Sequence, residues 1–209
     1  MKPVRVSFHL TKYRVLLGVL LAFSSLTFAS SFTPVLDLTG GGFATEPLSN
    51  AVGGWEFHIS APLTISAVGL WDEGQLPLDI AHDVGLWKSD ATPILVATVD
   101  NGSLPVASAS PDGQWLFTPI SPVTLQPGDY VIAAVWGGPL GGADPFRLNA
   151  NAVDPYVTYT GACVATQLAT ATLVFPDCGP ASLQSASYFG PNLAFAGWRY
   201  FVVLLPIWF

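Results

Sequence analysis

Between Gly54 and Ile59 the chain reads GWEFHI, with Trp55, Phe57 and Ile59 on one side of a two-residue period and Glu56 and His58 on the other. A period of two puts successive side chains on opposite faces, so the segment fits a half-buried strand and not a helix. After Ala61-Pro62, the run Leu63–Trp71 (LTISAVGLW) alternates again and becomes apolar on both faces near its end, as a central sandwich strand does. Short strand-like runs follow at 83–88, 94–99, 115–119, 130–136, 156–159 and 186–195, divided by turn-forming clusters. Residues 100–113 read as a long loop and 137–154 as irregular. Gln126-Pro127-Gly128 suits a type II turn, with Pro at its second position and Gly at its third. No amphipathic helix and no fixed-period repeat is visible past the N-terminal segment. The expected fold is all-β, a β-sandwich or jelly-roll-like architecture preceded by a signal-peptide helix.

The N-terminus carries that signal. Lys2, Arg5, Lys12 and Arg14 precede a short apolar run, Val15–Phe28, and then small residues at Ala29, Ser30 and Ser31. This is the order of a secretory signal, with cleavage expected after Ala29 or Ser31; an uncleaved N-terminal anchor is the alternative. The expected organisation is a signal peptide over 1–30, an extended lead-in over 31–50, a sandwich domain over 51–196, and a short apolar run over 197–209. That last run is either a degenerate sorting tail or a final strand, and it is too short to span a bilayer as a helix. Removal of the signal leaves Lys88, Arg147 and Arg199 against fourteen Asp and Glu, a formal charge of −11. Such a surface repels nucleic-acid phosphates and excludes that class of partner. The expected localisation is exported: secreted, periplasmic or cell-surface.

Cys163 and Cys178 both fall in the exported part, where disulfides persist, and they are expected to pair. Ionisable groups otherwise concentrate in Leu70–Trp87, LWDEGQLPLDIAHDVGLW. Asp72, Glu73, Asp79 and Asp83 supply hard oxygen donors of the kind calcium takes, although their spacing matches no EF-hand; a solvated acidic loop is the competing reading. His82 suits a loop histidine that fixes strand entry by bonding backbone, with a ligand-contacting role as the alternative. Trp71 and Trp87 flank the loop and are the tryptophans expected to reach a surface and stack a sugar, against the alternative of core packing.

The ordered segments GWEFHISAPLTISAVGLWD, AHDVGLW, ILVATV, SPVTLQPGDYVIAAVW and SYFGPNLAF together resemble a family of secreted bacterial β-sandwich domains of unknown function. Such domains are common in proteins of the exosortase-sorted (PEP-CTERM) class. The resemblance covers Ala51–Phe195; its most specific pieces are the strand ending Trp71-Asp72 and Ala81–Trp87. It implies a sandwich fold and export, and it carries no established activity. The chain departs from the sorted class in having no Pro-Glu-Pro after Phe195 and no basic tip. The expected function is a non-catalytic module with a structural, adhesive or extracellular-matrix role. Its expected partners are extracellular polysaccharide or cell-surface components, with membrane contact only through the signal or the C-terminal tail. The first alternative is a calcium-dependent carbohydrate-binding module using the Asp72–Asp83 loop. A glycoside hydrolase ranks last: no nucleophile elbow is present, and nothing sets the separation of a carboxylate pair.

Overall fold

The computed structural model describes residues 31–44, 50–137, 144–148, 150–153, 156–166, 168–178 and 188–197. The expected signal peptide over 1–30 and all of the C-terminal run except Gly197 lie outside the described residues. The strands in chain order are Ser31–Pro34 (β1), Asp37–Thr39 (β2), Gly42–Ala44 (β3), Ala51–Ile59 (β4), Leu63–Glu73 (β5), His82–Lys88 (β6), Pro93–Val99 (β7) and Leu104–Ala107 (β8). They continue with Gly113–Leu125 (β9), Gly128–Trp136 (β10), Phe146–Leu148 (β11), Asn151–Val153 (β12), Thr158–Ala165 (β13), Tyr188–Phe189 (β14) and Pro191–Gly197 (β15).

Two five-stranded antiparallel sheets carry the fold, ordered β1-β15-β5-β9-β8 and β13-β4-β10-β6-β7. A β-sandwich results, as the alternation predicts. The period of two at Trp55, Phe57 and Ile59 turns those side chains into the space between the sheets, where all three are buried. Ile65, Leu70, Trp71, Trp115 and Phe117 of the first sheet belong to the same buried cluster. Burying a side chain of this size is worth about 1.5–3 kcal/mol, so this layer dominates the stability of the domain. The both-face apolar end of Leu63–Trp71 has its reason in the topology. β5 is the middle strand of its sheet, and the β5–β9 register shifts between Ile65 and Ala67.

Three local expectations are corrected. Residues 31–44 are not an unpaired lead-in: β1 pairs with β15 at the edge of the first sheet, β2 and β3 pair with β12 and β11 in two small sheets, and Val35, Leu36 and Leu38 are fully buried. The Asp37 carboxylate fastens this segment by accepting from Ala109 N, Trp115 Nε1 and Ser108 Oγ. The loop over 100–113 and the irregular stretch over 137–154 contain short strands, β8, β11 and β12. Finally, Gln126-Pro127-Gly128 does not form the expected type II turn. β9 and β10 belong to opposite sheets, and Gly128 has φ 153°, far from the value a type II turn needs. The segment is a corner between sheets, fixed by Tyr130, whose hydroxyl donates to Gln126 O at 2.7 Å. A tyrosine bonding back a few residues upstream in this way is the tyrosine corner of Greek-key sandwiches.

Candidate functional site

The acidic loop joins β5 in one sheet to β6 in the other, so it spans one end of the sandwich. It reverses through Gly74 and Gln75, both left-handed at φ 69° and 57°. Glycine takes that conformation freely, while glutamine does so at a cost. Polar groups from distant loops then pin this one. Gly74 N donates to Asp112 O at 2.7 Å, and Leu78 exchanges two hydrogen bonds with the Asn101 side chain, at 2.7 and 2.9 Å. Asp79 N and Ile80 N donate to the Asp144 carboxylate at 2.7 and 3.2 Å.

A half-open cleft of about 340 Å³ lies against this loop, lined by Asp72, Glu73, Leu76, Asp79, Asp144 and Phe43 among others. Phe43 comes from β3, where pairing with β11 sets it opposite Arg147. Its ring is 58% exposed and Leu76 is 67% exposed, an unusual pair of bare apolar side chains beside carboxylates. A second cleft, about 390 Å³, sits at the other end of the β5–β9 pair around the tyrosine corner, and none of the sequence-expected site residues line it.

The carboxylates of the end cleft have different environments. Asp72 is buried at 4% exposure and accepts from Gln114 Nε2 at 2.7 Å. Desolvation pushes its carboxyl above the ordinary value; the hydrogen bonds from Gln114 and Leu76 oppose this, and the charges of Asp144 and Glu73 add to it. Glu73 is neutralised. Arg147, itself buried, places Nη2 2.9 Å from Oε1 and Nε 2.8 Å from Oε2, and Trp71 Nε1 donates to Oε2 at 2.6 Å. The Nε approach is an ion-pair contact without hydrogen-bond alignment. Nη2 also reaches Asp112 Oδ2 at 2.7 Å, and the guanidinium carbon lies 5.5 Å from the Trp71 ring centre. A buried arginine held this way is a structural keystone, since removing either partner strands a charge out of water.

Asp144 pairs with His82 at 2.8 Å, both side chains nearly inaccessible. His82 Nδ1 faces the Val135 carbonyl at 2.7 Å. A carbonyl only accepts, so Nδ1 carries a proton. Burial alone pushes the Asp144 carboxyl up. The hydrogen bond from His82 and the N–H groups of Asp79 and Ile80 outweigh it, and the carboxyl sits below its ordinary value. Nε2 is engaged by the Asp144 carboxylate, so both ring nitrogens of His82 are occupied.

The structure gathers some of the expected site residues and separates others. Asp72, Glu73, Asp79 and Trp71 line the cleft. Asp83 does not: it lies on β6 facing away from the core and accepts from Thr98 Oγ1 at 2.7 Å. Among the described residues, no three His, Cys, Asp or Glu side chains are placed to hold a metal ion. Neither tryptophan offers a surface for stacking. Trp71 is fully buried edge-on against Trp115, 5.2 Å between ring centres, so only its margin borders the cleft. Trp87 is buried on the outer side of the second sheet against Phe175, because strand alternation sends it opposite to His82, Val84 and Leu86. Phe43, Leu76, Asp144 and Arg147 complete the site and escape the sequence reading. Arg147 had a signal: with only three Lys and Arg past residue 30, an arginine between Phe146 and Leu148 must find an anion. The expected disulfide forms between Cys163 and Cys178. No protein-family model, curated protein or solved structure matches this chain.

Proposed function

We propose that the chain is an exported, non-catalytic β-sandwich module with an adhesive or matrix role, and that its end cleft holds extracellular polysaccharide. The observation that carries this reading is the placement of exposed Phe43 and Leu76 beside carboxylates in one half-open cleft. A pyranose ring has apolar C–H faces and a rim of hydroxyl donors. The faces suit Phe43 and Leu76, and the hydroxyls suit the exposed Asp79 carboxylate as an acceptor. The non-catalytic part is supported by how the reactive groups are committed: His82 at both ring nitrogens, and Glu73 to Arg147. Export is supported by the order of residues 1–31 and by the disulfide. Membership of the secreted sandwich domains found among exosortase-sorted proteins is part of the same proposal, resting on the motif order from Ala51 to Phe195.

Affinity electrophoresis through gels containing extracellular polysaccharides tests it. The expected result is retardation by at least one polysaccharide that Phe43→Ala abolishes with the melting point unchanged, since the ring is largely in solvent. Free migration in every gel, or retardation that Phe43→Ala leaves intact, overturns the reading.

A further inference from the structure

The second sheet has two apolar faces, covered in different ways. Its inner face is buried by the other sheet. Its outer face presents Val52 from β4, Trp87 from β6, Val131, Ala133 and Val135 from β10, and Cys163 from β13, all buried. The cover there is the stretch Leu168–Cys178, which lays Leu168, Ala171, Leu173, Val174 and Phe175 over them. Phe175 meets the Trp87 ring edge-on at 5.9 Å. Gly85 makes room for that tryptophan: a Cβ there would come within 2.2 Å of the Trp87 ring.

This stretch forms no strand of its own among the described residues, only the isolated bridge at Asp177. Its backbone ties to the sheet are Leu168 N to Asn50 O at 3.1 Å and the reciprocal Val164–Asp177 pair at 3.0 and 3.2 Å. The covalent tie is the Cys163–Cys178 bridge, which joins β13 to the far end of the cover. We infer that this disulfide is a redox latch, and that the Leu168–Cys178 strap covers the outer apolar face while the latch is oxidised and uncovers it when the latch is reduced. The sandwich core between the sheets does not depend on the bridge, because the strap lies outside it.

The chemistry balances with an external dithiol as reductant. Cys163 is fully buried and Cys178 partly accessible, so the incoming thiolate attacks Cys178 Sγ. The S–S bond breaks, Cys163 leaves as a thiolate and takes a proton, and a mixed disulfide forms at Cys178. The reductant's second thiol displaces Cys178 and closes its own disulfide. Two electrons and two protons pass to the protein. Releasing a closed loop of this length shifts the open-to-closed balance of the strap about 100-fold toward open.

The test is hydrogen–deuterium exchange on the full chain in three states: oxidised, reduced with dithiothreitol, and reoxidised. Expected is about 100-fold faster exchange at the Val164, Leu168 and Asp177 amides on reduction, with β5 and β9 unchanged and protection restored by oxidation. An apolar dye gains fluorescence in the reduced state alone, and the paired variant Cys163→Ser/Cys178→Ser matches that state without reductant. Unchanged exchange in the strap overturns the inference, because packing then holds the cover by itself. Loss of protection in β5 and β9 overturns it too, because the bridge is then a staple for the whole domain.

Discussion

Two histidine–aspartate pairs with nearly the same geometry sit in this molecule. His58–Asp129 spans 2.7 Å and His82–Asp144 spans 2.8 Å. The first joins β4 to β10 in solvent, its side chains 45% and 54% exposed; the second is at 1% and 6%. Distance therefore says nothing about what each pair does. In water the attraction is screened and ordering two side chains costs entropy, so an exposed pair is worth about 0–1 kcal/mol. Buried, each partner has surrendered its hydration and cannot be removed without stranding the other. The buried pair also organises backbone: His82 holds Val135, and Asp144 holds Asp79 and Ile80. One pair decorates the sandwich and the other shapes the wall of its end cleft.

The largest test of this contrast is truncation. His82→Ala is expected to cost about 3–5 kcal/mol in denaturant unfolding, the scale of an orphaned buried charge. The same change measured with Asp144 already removed costs clearly less. Acid comes next. The Asp144 carboxyl is held below its ordinary value, so its contribution is fully present above pH 3.8 and is lost as pH falls through the folded value. Asp144→Asn flattens that acid limb in a stability-versus-pH series; an unchanged limb means that other carboxylates set it.

Asp72 gives a smaller effect of opposite sign. Its carboxyl is raised, so ionisation removes stability as pH climbs from 3.8 through the folded value. Asp72→Asn is expected to stabilise by on the order of 1 kcal/mol at pH 7, and the gain vanishes below pH 3.8, where both side chains are neutral. A destabilised Asp72→Asn at pH 7 sinks that account. His58→Ala sits lower still, under about 1 kcal/mol and smaller in high salt. Least of all is calcium: swapping it for a chelator leaves the melting point where it was, and a rise with calcium locates a cation site that the described carboxylates do not form.

Strands whose burial follows from local alternation were legible. GWEFHI and LTISAVGLW announce their faces in their own letters, and the both-face apolar end at Trp71 marks β5 as central. The face taken by Trp87 was not legible, because a strand apolar on both sides gives no direction until something is known to cover each side. Here the cover is the disulfide-tied stretch from Leu168, far along the chain. The lead-in failed for a related reason: β1 pairs with β15 and β3 with β11, and no local pattern names a partner more than a hundred residues away. Within the site, Asp72, Glu73 and Asp79 were readable as a concentration of charge. Their partners were not, since His82–Asp144 and Glu73–Arg147 are 62 and 74 residues apart in sequence. The tyrosine corner had a local signature in Pro127-Gly128-Asp129-Tyr130, which a turn assignment alone overlooks.

The pairing of β1 with β15 bears on how the domain carries a load. Ser31 and Gly197 are opposite each other in that ladder, so the first and last described residues lie at adjacent points on one side of the sheet. A pull between these two points peels the ladder open one hydrogen-bonded pair at a time, as a zipper parts, instead of shearing all its bonds together. Anything tethered through both of these points would meet a mechanically soft edge strand before the force reached the tryptophan layer. A weight hung from a side chain of the end cleft would draw on the middle strands directly.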